Sequence, residues 1–147
     1  MKGVEDRSPD SIASLFKEAT ESLLASSARV GCRVELPSKG RLLVAGDLHD
    51  HLPNFNRLVA AADLHEPDHH LVLQELIHGP TLLHGCDMSW RMLARVADLI
   101  LSHPGQVHPL LGNHENSQLT GVGVTKGGGN SVEQFEDGVR WHFGEDW

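Results

Sequence analysis

Apolar residues recur along this chain with two different periods, and each change of period marks an element. Ile12, Phe16, Leu23 and Leu24 fall at roughly helical spacing behind Ser8 and Pro9, which predicts an amphipathic helix over residues 8 to 28. Arg33-Val-Glu-Leu-Pro37 predicts a short strand ended by proline, and Ser38-Lys-Gly40 a turn. Arg41-Leu-Leu-Val-Ala45 is a continuous apolar run of the buried, parallel-strand type, and it leads into Gly46-Asp47. Pro53 starts a helix through Asp63 that carries Phe55, Leu58, Val59 and Ala62 on one face. His70-Leu-Val-Leu73 predicts a second buried strand, which delivers Gln74-Glu75, and Gly79-Pro80 opens a loop.

Met92, Leu93, Val96, Leu99 and Ile100 define the clearest helix, residues 88 to 102, and His103-Pro-Gly105 stops it. Residues 107 to 111 predict a third strand despite Pro109, and lead into Gly112-Asn-His-Glu115. Residues 121 to 130 are glycine-rich and predict a mobile connector; Lys126-Gly-Gly-Gly129 lacks the GxxxxGK[ST] pattern of a phosphate loop. Ser131-Val-Glu-Gln134 has capping-box spacing and opens a helix to about residue 143.

The order strand, helix, strand, helix, strand predicts an α/β fold of mainly parallel strands joined by crossover helices. The 147 residues suit one such domain over residues 31–147, preceded by a helical arm over residues 1–30. No apolar run approaches the roughly 18 residues of a spanning helix, so no membrane partner is expected. MKGVEDRSPD lacks the apolar segment of a signal peptide, which points to the cytoplasm. Two cysteines, Cys32 and Cys86, form no CxxC pair and read as reduced thiols. A net charge of −8 argues against nucleic-acid binding through a basic surface. Eleven histidines and no tyrosine invite metal ligation instead. Most of these, including His65, His69, His70, His84, His103 and His108, show no ligand spacing and read as surface or turn residues.

Three predicted strands each end in a polar cluster: Gly46-Asp-Leu-His49, Gln74-Glu75 and Gly112-Asn-His-Glu115. Loops at the carboxyl ends of parallel strands gather in space, so the three clusters should converge. Carboxylate, imidazole and amide oxygen together suit Mn, Fe or Zn. Gly46 and Gly112 are expected to let the chain turn sharply. Two ions about 3.5–4 Å apart can clamp both ends of a phosphoryl displacement, and Glu75 is the available bridging carboxylate.

The pair GDLH and GNHE, each behind a strand, resembles the GDxH and GNH[DE] motifs of calcineurin-like metallophosphoesterases. The resemblance covers about residues 40 to 116. It implies the N-terminal half of that family's α/β sandwich, a metal-dependent phosphoesterase activity on a phosphate-ester substrate, and two divalent ions. It implies that Asp47 and His49 bind the first ion, that Asn113 binds the second with Glu75 bridging, and that His114 contacts the phosphate or protonates the leaving oxygen. His78 falls where the family has an aspartate that orients this histidine, so His78 and Glu115 are supporting positions. The middle motif departs from GDxxDRG: it reads Gln74-Glu-Leu-Ile-His-Gly-Pro80, and no arginine follows. The family's later histidine ligands have no counterpart after His114 except His142 in a predicted helix, so residues 31–147 read as a partial domain. That leaves an inactive metal-binding or interaction fragment as the alternative. A dinucleotide-binding domain is the weaker rival, because no GxGxxG follows the first strand.

Overall fold

The computed structural model describes residues 3–122, 125–126 and 129–144. A 3-10 turn, Val4–Asp6, precedes helix α1, Pro9–Leu24. The Ser8 hydroxyl accepts from the Ser11 N–H, and Pro9 takes a first-turn position where a missing N–H costs nothing. The helix ends four residues before the predicted boundary because Ala25-Ser-Ser-Ala28 offers no large apolar side chain to bury. Residues 33–37 give only two strand residues: β1, Arg29–Val30, pairs antiparallel with β2, Arg33–Val34.

Three parallel strands form the sheet: β3, Arg41–Asp47; β4, His69–Gln74; and β5, Val107–Pro109. Their order is β3-β4-β5, with β4 central. Helix α2, Leu52–Ala62, joins the first two, and α3, Trp90–Ser102, joins the last two. Pro109 is the last residue of an edge strand, where a lost donor is tolerated.

The expected burial of β3 on both faces is corrected by the structure. Ala45 is buried in the core while Leu42 and Val44 are exposed, and in β4 the same alternation leaves Leu71 and Leu73 fully buried. One core draws on Leu71, Leu73 and Val107 of the sheet, Phe55 of α2, and Met92, Val96 and Ile100 of α3. Ile12, Leu15 and Ala19 of α1 belong to the same cluster, and α1 packs along α3. Ion pairs from Arg7 to Asp98 and from Glu5 to Arg95 tie the N-terminal segment to α3 as well.

After the sheet, Asn113–Thr120 forms helix α4, which no apolar periodicity announces. Two short strands, β6, Thr125–Lys126, and β7, Gly129–Asn130, pair antiparallel, and residues 123–124 and 127–128 of the expected glycine-rich connector lie outside the described residues. Helix α5, Ser131–Phe143, follows. Its cap is Asn130, whose side chain accepts from the Val132 N–H, and not Ser131 as the capping-box spacing predicts. Among the described residues no helix is long and apolar enough to cross a membrane.

Candidate metal centre

The loops after β3 and β4 are stitched together through their backbones. The N–H groups of Leu48 and His49 both donate to the Glu75 carbonyl, at 3.0 and 2.7 Å, and the Asp50 N–H donates to the Leu76 carbonyl at 2.9 Å. The stitching holds unusual backbone. His49, Asp50, Glu75 and His78 account for four of the six non-glycine residues with positive φ among the described residues. Such conformations cost on the order of 1–3 kcal/mol each and persist where the surroundings over-determine them.

The third cluster becomes the first turn of α4. Glu75 reaches across to it: Oε1 accepts from the Asn113 N–H at 2.5 Å and Oε2 from the His114 N–H at 3.4 Å. Glu115 reaches back: Oε1 accepts from the Leu76 and Ile77 N–H groups at 2.6 and 3.2 Å, and Oε2 from the Gly112 N–H at 2.9 Å. Each carboxylate therefore satisfies backbone donors of the other's loop, and both sit where a helix N-terminus favours negative charge. Gly112 makes this clasp possible, because a Cβ there would overlap the Glu75 carboxylate. Its φ of −86° is ordinary, so crowding and not turn geometry requires glycine. Gly46 has open space above it and is absent from the positive-φ glycines, so neither reason applies to it. The expectation of a glycine-dependent sharp turn fails at both positions.

His49, Glu75 and His114 each present one ligand atom, and these atoms all lie within 4.8 Å of one another. The His49 and His114 rings meet edge to face at a centroid distance of 5.1 Å. His49 Nδ1 lies 3.2 Å from the Ile77 carbonyl, which can only accept; Nδ1 therefore carries the proton and Nε2 keeps its lone pair for a metal. Each Glu75 oxygen accepts one N–H and retains a second lone pair. Two imidazoles and a carboxylate fit Zn, Fe or Mn, and three protein donors leave the open position that catalytic ions use.

The other expected site residues lie around this group. Asp47 is exposed, accepts from Gln74 Nε2 at 3.3 Å, and is not part of the three-residue donor group. Asn113 is exposed, and its backbone N–H donates to Glu75. The His78 side chain is buried, with its ring 5.2 Å from that of His114. Its Nδ1 lies 2.8 Å from Oδ2 of Asp87, a residue that no motif singles out. Asp50 beside His49 is half-buried; burial raises its carboxyl above the usual range, Asp87 adds to the rise and Arg91 opposes it.

Comparison with family models, curated proteins and solved structures gives no match for this chain.

Proposed function

We propose that this chain is a metal-dependent phosphoesterase whose centre is built on His49, Glu75 and His114. The observation that carries the reading is the convergence of these three donors, which lie far apart in sequence, within 4.8 Å of one another. The likeness of the sequence around His49 and His114 to GDxH and GNH[DE] supports the reaction class. A divalent ion held there would lower the pKa of a bound water and neutralise charge developing on a phosphoryl group. His49 offers Nε2, fixed by its bond to Ile77, and Glu75 offers a carboxylate oriented by α4. His114 is the third donor of one ion in this reading, whereas the resemblance sets it against the phosphate. Metal content of His114→Ala separates the two assignments.

The test is Mn- or Zn-dependent hydrolysis of chromogenic phosphate monoesters and diesters by the full chain. Turnover that needs the ion, and that falls by about 100-fold or more in His49→Ala, supports the proposal; a displaced ion alone can produce a loss of that order. Absence of metal-dependent hydrolysis overturns it. One observation favours a second reading, a metal-binding module without turnover: among the described residues the one group of three such donors is His49, Glu75 and His114, with Asp47 outside it. Metal binding lost in His49→Ala and Glu75→Ala, without hydrolysis by the unsubstituted chain, would assign that module.

A further inference from the structure

Behind His114 lies a second pair of titratable side chains that the proposed centre does not use. His78 and Asp87 have side chains only 5% and 2% exposed, and His78 Nδ1 is 2.8 Å from Asp87 Oδ2. The pair is braced by its neighbours. The other carboxylate oxygen, Oδ1, accepts from the Ser89 N–H at 2.9 Å, and Ser89 Oγ accepts from the His78 N–H at 3.0 Å. The Asp87 N–H donates to the Gln134 carbonyl of α5 at 2.9 Å. Gly138 lets α5 approach so closely that a Cβ there would overlap the Asp87 carbonyl. Phe135 of α5 sets its ring 5.8 Å from that of His78. The His78 ring also packs against that of His114, tilted by 58°.

We infer that Asp87 fixes the tautomer of His78 and that the pair is a positioning device for His114. An ionised carboxylate only accepts, so Nδ1 of His78 carries the proton. His78 Nε2 is then a buried atom with no hydrogen-bond partner among the described residues. An unfilled acceptor is tolerated there better than an orphaned donor, which favours a bare Nε2. Asp87 thus dictates which face of His78, lone pair or N–H, is presented inside the wall of the site. A carboxylate behind a histidine fixes its tautomer and ring orientation, and the ring fixed here is the one that packs against His114. The inference rests on the proposed metal centre, but its first readout does not.

Nitrogen chemical shifts of the metal-free protein, recorded at about pH 8 to lie above the ordinary imidazole range, should show His78 as the Nδ1–H form with bare Nε2. Asp87→Asn, whose amide can donate to Nδ1, should convert it to the Nε2–H form and weaken zinc binding about 10- to 100-fold by calorimetry. Any other protonation state of His78 in the unsubstituted protein overturns the inference. So does a folded Asp87→Asn variant with unchanged zinc affinity, which would make the pair a purely structural bond. If Asp87→Asn does not fold, the tautomer of the unsubstituted protein still decides. A chain that shows both effects yet hydrolyses no phosphate ester would sink the phosphoesterase reading and leave this one standing.

Discussion

Gly112 and Gly46 hold equivalent places in their motifs, yet physically they differ. Only Gly112 faces a neighbour that a methyl group would strike, the Glu75 carboxylate. Gly112→Ala should therefore displace Glu75, cost about 1–3 kcal/mol as overpacking does, and weaken zinc binding. Gly46→Ala should leave both unchanged. Calorimetry and chemical denaturation of the two variants check this; equal effects would remove the clasp as the reason for the glycine. A second residue-scale consequence concerns His108, expected at the surface but buried at 9% exposure. His70 Nδ1 lies 3.1 Å from His108 Nε2 and the rings stack at 5.3 Å, so His70 is not the solvated flank its position predicts. Burial pushes the His108 pKa below its usual value, with the charges of His70 and Arg29 adding to the effect. A folded pKa below the unfolded one means that the unfolded chain binds more protons in between. This contribution to stability is complete above about pH 6.5, the ordinary imidazole value, and declines as pH falls toward the lowered one. Denaturation midpoints followed downward from neutral pH should drop, and His108→Gln should flatten that slope. A slope unchanged in His108→Gln would assign the acid sensitivity to other groups.

At the scale of elements, those that bury a stripe were legible and those held by polar groups were not. The apolar stripe of α3 placed it within two residues of its observed start, and α2 and β4 came within one residue of their observed starts. Helix α4 has no such stripe: Leu119 is its one large apolar residue, and it is exposed. What starts α4 is Glu75, from another strand, together with Glu115 in its own first turn. Spacing along one segment cannot announce a cap donated from a distant one. Glu115 should accordingly carry an unusual share of local stability. Glu115→Ala would leave the Leu76, Ile77 and Gly112 N–H groups without their acceptor, and an unsatisfied buried donor costs roughly 1–3 kcal/mol. A loss of about 3 kcal/mol or more by denaturation is expected, together with faster hydrogen exchange at Leu76 and Ile77. Loss of stability under about 1 kcal/mol, the usual scale of a surface change, would show that water replaces the carboxylate there.

Across the whole molecule, the gathering of strand ends was readable because parallel topology dictates it, whatever the side chains do. Which donors then meet was less readable. Asp47 precedes His49 by two residues, but the left-handed backbone at His49 and Asp50 turns the chain just there, and only His49 joins Glu75 and His114. Asp87 was invisible because its partnership with His78 depends on the approach of α5, which no local pattern encodes. The sheet itself departs from expectation in one respect. Parallel sheets are as a rule covered on both faces, yet here Val44 is 60% exposed while Leu73, on the core-facing side of the neighbouring strand, is fully buried. The two faces should respond differently to substitution. Leu73→Ala opens a cavity in the core and should cost about 2–5 kcal/mol. Val44→Thr keeps the shape and the β-branch on an exposed face and should stay within about 0.5 kcal/mol. Chemical denaturation of the two variants at several protein concentrations measures the contrast. If Val44→Thr destabilised as strongly as Leu73→Ala, the open face would have to be covered in solution. A cost that grew with protein concentration would identify the cover as a second copy of the chain, since only association makes stability depend on concentration.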